Sequence, residues 1–362
     1  MSAPVAPAAV APETRAVAHP RLAALLVAVA PLVAVVAALA AGAVFIAAIG
    51  EKPLEIYALL ASQAFGTGYG LGQTLFRATP LLFTGLAVAL AFRAGLFNIG
   101  VEGQMYLGGF AAALAGAYLP LPAPLLLPAA LLAAALAGAA WGAVPGVLKA
   151  RFGSHEVINS IMLNFIAFSL VSWAGRGLFE TATVRTREIA AGAWLPRLDG
   201  LAGALRGSPV NASLALGLLL AALTWALLFR TRLGYELRAV GLNASAAEYG
   251  GVRTGGAQAL AMALSGLVAG LGGTNFVLGY KHYFELGFSG GAGFIGIAVA
   301  LLGRNHPASV LVAALFFGAL SYGGLVVNQR VPRELVEVLM ALVILFAITT
   351  RPLLERIARK LT

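Results

Sequence analysis

The chain has 362 residues, of which 60% are hydrophobic and 10% charged, against about 45–50% and about 25% in soluble proteins. With a mean hydropathy of +0.91, the composition fits a polytopic membrane protein. The formal net charge of +10 resides on basic residues scattered singly between apolar runs, without the basic stripe and interleaved aromatics of a nucleic-acid binder, and the lack of cysteine excludes disulfides, thiolate metal sites and cysteine nucleophiles.

Residues 1–20 are an Ala/Pro/Val tail carrying only Glu13, Arg15 and His19, and read as a disordered cytoplasmic leader. From Leu22 to Gly50 no charge occurs. That run exceeds the apolar core of a cleavable signal peptide, so it is expected to be an uncleaved first span. Leu54 to Tyr69 reads as a short, partly amphipathic surface piece. At about 20 apolar residues per crossing, candidate spans fall at 22–49, 73–92, 95–118, 124–148, 156–175, 210–229, 256–279, 289–303, 307–327 and 334–350. The expected fold is therefore all-α, with about ten transmembrane helices across 21–355 and a short cytoplasmic tail over 356–362. An even count puts both termini on one side. Arg93, Lys149, Arg151, Arg230, Arg232 and Arg304 favour the cytoplasm for that side, although the outer loop 176–209 holds arginines of its own, including Arg185 and Arg187.

Within the third candidate span, Gly95 to Gly109 reads GLFNIGVEGQMYLGG and places Asn98, Glu102 and Gln104 in an uncharged neighbourhood. A charge at the centre of a membrane helix costs about 2.5–3.5 kcal/mol on insertion scales, so pairing, a wet cavity or function must offset it. The glycines point to a helix that is closely packed or locally broken, which is tolerated at membrane depth only against protein or a cavity. A second short Gly-rich segment, Gly287 to Gly303, occupies a corresponding place among spans seven to ten. Paired interruptions of this kind mark a transport pathway. The candidate pathway residues are Asn98, Glu102, Gln104, Asn159, Asn164 and Asn275. Glu102 has two readings: a structural carboxylate paired with Arg77, Arg93 or backbone N–H at the break, or a contact to solute. Asn98 and Gln104 suit hydroxyl-rich or heterocyclic solutes, yet the same groups satisfy exposed backbone. Asn159 and Asn164 serve either as interhelical hydrogen bonds, worth about 0.6–2 kcal/mol, or as pathway groups. Glu156 opens the fifth span, where the helix dipole favours a carboxylate.

The segment Arg230 to Gly256 is polar and patterned. Asn243 followed by Ala-Ser-Ala-Ala-Glu-Tyr predicts an N-cap and one to two helical turns, stopped by Gly250 and Gly251. Gly241, Asn243 and Gly250 shape this small interfacial helix, Ala246 and Ala247 offer a small-residue surface to a partner, and Glu248 can steer it electrostatically.

FNIGVEGQMYLGG, the LRAVGLNASAAEYGG loop and GFIGIAVALLGRNHP occur in that order along the chain. Together they make it resemble an ABC importer permease of the branched-chain amino acid, ribose and galactoside permease family, in the nucleoside or simple-sugar subgroup, over roughly residues 20–355. The resemblance implies that Gly241 to Gly251 is a coupling helix docking on a separate ATPase subunit that binds ATP. It also implies a bacterial inner-membrane location, an extracytoplasmic solute-binding lipoprotein, and a second, different permease chain, this one resembling the longer partner. Nucleosides are the first expected cargo, then pentoses or related sugars, then a vitamin such as riboflavin. The chain itself carries no GxxxxGK[ST] loop, and none of Lys52, Lys149, Lys281 or Lys360 follows a glycine, so nucleotide chemistry has to come from another polypeptide. No cofactor, metal or catalytic residue is expected. An ion- or proton-coupled secondary transporter using Glu102 or Glu156 is the alternative. A membrane enzyme fits less well, with Asp199 the only aspartate and four dispersed histidines.

Overall fold

The computed structural model describes residues 28–200 and 203–360; the expected leader over 1–20 lies outside them. Eight helices among the described residues are long and apolar enough to cross a membrane. In chain order the helices are α1 (Ala30–Ala48), α2 (Pro53–Phe65), α3 (Gly68–Arg93), α4 (Val101–Tyr118), α5 (Ala123–Phe152), α6 (Glu156–Gly175), α7 (Ser213–Arg230), α8 (Arg232–Leu242), α9 (Ala244–Tyr249), α10 (Thr254–Gly272), α11 (Ala292–Leu302), α12 (Pro307–Val327) and α13 (Arg333–Lys360). Each of the ten segments read from hydropathy contains a helix, the first of them described from Ala30 onward, but with two differences. The third segment becomes helical only at Val101, and the eighth is an α-helix of 11 residues, about 16 Å long at 1.5 Å per residue. The surface piece over 54–69 divides into α2 and the first turn of α3, while the expected tail continues as helix to Lys360.

Burial separates an inner group of helices from an outer ring. The apolar window of α3 is 83% buried and that of Thr254–Lys281 is 72% buried, whereas α6 is 22% buried. An apolar helix left exposed in this way is matched to lipid tails, which are as apolar as its side chains. The inner seam is made by backbone contact: Gly138 and Gly142 of α5 face Gly266 and Gly270 of α10. A Cβ built on Gly138 would stand 2.2 Å from the Gly266 carbonyl oxygen, and one on Gly142 would stand 2.5 Å from that of Met262. Small residues at four-residue spacing let two helices approach this closely in a membrane, where van der Waals packing takes over from the hydrophobic effect. The long loop after α6 folds over one end of the bundle. Its Ile189 N–H donates to the His282 carbonyl at 2.8 Å and its Leu195 N–H to that of Leu278 at 2.9 Å.

Gly138→Leu forces α5 and α10 apart, because its obstacle is a carbonyl rather than a movable side chain. A loss of at least about 1–3 kcal/mol, the usual overpacking range, is expected as a lower melting temperature of the detergent-solubilised protein. Gly177→Ala, where a Cβ meets open space, should melt like the parent. Equal melting of parent and Gly138→Leu would refute the seam.

Candidate functional site: two interrupted helices joined by a carboxylate

The first interruption starts where α3 stops. Gly95 adopts φ +73°, and the Leu96 N–H returns to the Ala91 carbonyl at 3.0 Å, a left-handed helix stop that glycine adopts without Cβ strain. The chain then turns back into the protein without helical structure until α4. Asn98 organises this turn. Its Oδ1 accepts from the Gly100 N–H at 3.0 Å and its Nδ2 donates to Gln104 Oε1 at 2.9 Å and Ser265 Oγ at 2.8 Å. Ser265 in turn donates to the Ala87 carbonyl at 2.7 Å, which ties the turn to the interior of α3. From α6, Asn164 Oδ1 accepts from the Gly103 N–H at 2.8 Å and its Nδ2 donates to the Ile99 carbonyl at 3.0 Å. Non-helical backbone far from water has to find its hydrogen bonds within the protein, and here side chains supply them.

The second interruption runs from the π-turn Val277–Lys281 through Gly287, Gly290 and Gly291, all at positive φ, to the start of α11. Glu102 joins the two. It stands in the first turn of α4, 2% exposed, and its carboxylate accepts from the Gly291 N–H at 3.2 Å and the Gly293 N–H at 2.5 Å. The Ser289 hydroxyl and the Phe294 N–H are also directed at it. The carboxylate thus belongs to the first turn of α4 and caps the N-terminus of α11, and a helix N-terminus is equivalent to about half a positive charge. Among the described residues no arginine or lysine stands within ion-pair distance of Glu102; Arg93 instead donates to the Asn305 carbonyl at 2.9 Å and Arg77 approaches Ser321 Oγ at 3.5 Å. Thr84 completes the joint by donating to the Ala292 carbonyl at 3.1 Å.

Asn275 lies apart from this network, accepting from Asn211 Nδ2 at 3.1 Å and donating to the Phe76 carbonyl at 3.3 Å. Asn159 is half-buried at the start of α6, donating to Ser154 Oγ at 2.7 Å, and Glu156 beside it bridges Lys149 at 2.9 Å. Asn98, Glu102, Gln104 and Asn164 thus come together and Asn159 and Asn275 do not. A cavity of about 550 Å³ opens on the other side of the second interruption, walled by Arg77, Phe276, Phe288, Ser289, Gly291, Phe294, Ser321, Arg333 and Glu337 among others. In the sequence Arg77 was weighed only as a counter-ion for Glu102, and the structure instead places it on this cavity wall with the three phenylalanines. The roles of Ser265, Thr84 and Ser289 went unread, because single Ser and Thr residues in apolar helices carry no pattern. Among the described residues, no group of three His, Asp or Glu comes together to hold a metal.

At the end of the bundle that carries the Arg230–Gly256 segment, Asn243 Oδ1 accepts from the Ala246 N–H at 3.0 Å and caps α9, and Gly250 and Gly251 end it, the latter at φ +86°. Helix α8 before it was not anticipated; Thr231 caps it by accepting from the Gly234 N–H at 3.0 Å. Ala247 is buried among Leu90, Leu96, Leu237 and Met262, so of the two alanines only Ala246 faces outward. Leu242 and Tyr249, 88% and 96% exposed, are large apolar groups on this surface that the sequence reading passed over. Gly241 lies against the first interruption, where a Cβ would stand 2.2 Å from the Arg93 carbonyl oxygen and 2.8 Å from the Gly95 nitrogen.

Residues 70–348 match the family described as branched-chain amino acid transport system / permease component. The chain is 40% identical over 321 residues to a guanosine ABC transporter permease protein of Bacillus subtilis, covering 87% of this chain and 91% of that one. It is 39% identical over 329 residues to a glucose ABC transporter permease protein of Haloferax volcanii, covering 88% and 87%, and 34% identical over 325 residues to a nucleoside ABC transporter permease protein of Lactococcus lactis, covering 87% and 89%. No solved structure matches the chain. The family match over residues 70–348 and the similarity to these permeases along most of both chains place the chain in this permease family of ABC transporters, as a membrane transport subunit.

Proposed function

We propose that the chain forms half of the translocation pathway of a bacterial inner-membrane importer for nucleosides, driven by separate ATPase subunits and supplied by an extracytoplasmic binding protein. The observation that carries this reading is the joint at Glu102, where two half-helices end inside the bundle beside a cavity of about 550 Å³, a size suited to a small ligand. Nucleosides come first because the guanosine and nucleoside permeases of Bacillus and Lactococcus are similar over most of the chain. Simple sugars are the second reading, supported by the similarity to the Haloferax glucose permease. A second guanosine permease of B. subtilis is also similar, 31% identical over 251 residues, which supports a partner permease of a different sequence and a heterodimer.

Ten crossings, with α4 and α11 counted as the interrupted pair, put both termini in the cytoplasm together with α8 and α9. In this arrangement α9 docks on the ATPase through Ala246, Glu248, Leu242 and Tyr249, while Asn243, Ala247 and Gly250 hold its shape. Gly241 passes movement to Gly95 and the first interruption. Asn98, Gln104, Asn164 and Asn275 serve the pathway by holding its walls, and Asn159 holds the start of α6.

Uptake of labelled guanosine and glucose into cells carrying the full transporter tests the reading: import lost when the lysine of the ATPase phosphate loop is replaced supports it. Import that survives this change but collapses with a protonophore would transfer the chain to the secondary transporters. Reversing charge at Glu248 or replacing Tyr249 by Ala should cut transport at least about tenfold, a loss of about 1.4 kcal/mol of coupling, with the membrane spans intact; unimpaired transport in both would remove α9 from the docking surface. Asn164→Leu orphans a backbone N–H and a carbonyl at a cost of about 1–3 kcal/mol each. A lower melting temperature with an unchanged KM for uptake is expected, and a changed KM at unchanged stability would make Asn164 a solute contact.

A further inference from the structure

Arg77 is the tenth residue of α3, inside a helix whose apolar window is 83% buried, and a cation at that depth needs a partner. It has little. Its Nε is buried without a hydrogen-bond partner, its Nη1 reaches Ser321 Oγ at the limiting distance of 3.5 Å, and among the described residues no carboxylate forms an ion pair with it. The cavity does contain a carboxylate, Glu337, but Arg333 bridges it at 3.2 Å. Arg93, at the other end of the same helix, shows the contrast: its Nε donates to a backbone carbonyl at 2.9 Å. With Nε buried, the two Nη groups of Arg77 make the planar fork of donors at a cavity whose remaining wall includes Phe276, Phe288 and Phe294. Phe288 is held in place by stacking on Tyr106, centroid to centroid 5.5 Å at 15°, and Phe294 is 45% exposed.

Resting on the nucleoside reading, we propose that Arg77 is a specificity-determining residue that receives the two-acceptor edge of a 6-oxopurine nucleoside as it passes the second interruption. A guanidinium donates in parallel to two coplanar acceptors, and O6 and N7 of a 6-oxopurine present that pair, whereas an adenine shows an amino donor in place of O6. The aromatic side chains offer the flat ring an apolar surface. A sugar presents hydroxyls that both donate and accept, which Ser289 and Ser321 satisfy without a cation.

The test uses the whole transporter, with its ATPase, second permease and binding protein in proteoliposomes, and compares uptake of guanosine with 7-deazaguanosine, which lacks the N7 acceptor. Any preference of the binding protein is common to all permease variants, so the change in the uptake ratio reports on Arg77. The parent should favour guanosine, and the ratio should fall about tenfold in Arg77→Gln, within the discrimination expected of a bidentate pair. Arg77→Lys keeps the charge, which protects against a folding failure, but loses the fork, so its ratio should fall as well. A ratio unchanged in either variant overturns the assignment while leaving the nucleoside reading in place. A parent transporter that imports glucose and no purine nucleoside overturns the nucleoside reading and the assignment with it.

Discussion

The arrangement depends on a carboxylate that stands in the first turn of one helix and caps the N-terminus of another. Helix α4 begins with Glu102 in its first turn, and α11 begins at the N–H groups that Glu102 accepts. Without a bound acceptor, each of these N–H groups would be left unsatisfied away from water, at a cost of several kcal/mol in a membrane. A neutral side chain would also forgo the attraction of the two helix dipoles. The charge that makes Glu102 costly on its own is thus compensated by the α11 end, whose N–H groups would be costly on their own. The pair is mutually required, which is why α11 can be as short as 11 residues and still end inside the bundle.

Around this joint the protein is organised as layers of decreasing constraint. The glycine seam fixes the outer helix α5 against the buried α10 at backbone contact. The Asn98, Gln104, Asn164 and Ser265 hydrogen bonds hold the first turn against α3 and α6. The cavity beside the second turn is bordered by the glycines that make that turn, so a shift of α11 changes the cavity directly. At the other end of the first turn, Gly241 touches Arg93 and Gly95 without an intervening side chain. A displacement at α9 thus has a short, packed route to the interruption, the kind of contiguous contact through which coupling between sites can travel.

Much of this was legible in the residues, and the rest failed for identifiable reasons. The long apolar runs located helices because a membrane helix needs an unbroken run of apolar residues, and Asn243 with Gly250 and Gly251 marked α9 because capping is local chemistry. The Gly95 and Gly291 interruptions were visible as clusters of glycine. The partners of Glu102 were not, since they lie 189 and 191 residues further on and no local pattern encodes which distant N–H a carboxylate meets. Arg77 was weighed only as a counter-ion for Glu102, five residues into a span read as 73–92; α3 starts at Gly68, which carries Arg77 further inward, and which wall its side chain joins is set by tertiary packing. Helix α8 escaped because its 11 residues mix charge with apolar groups and lack the long apolar run that revealed the others. The exposure of Leu242 and Tyr249 is a tertiary fact, unreadable from their neighbours.

Amide hydrogen exchange over residues 290–296 of the assembled transporter, in the parent and in Glu102→Ala, tests the joint most directly. Slow exchange at Gly291 and Gly293 is expected in the parent, with protection falling by orders of magnitude in the variant while the spans of α6 and α7 exchange as before. Rapid exchange of these two amides in the parent, or protection that survives the loss of the carboxylate, would contradict the view that Glu102 holds the two half-helices together.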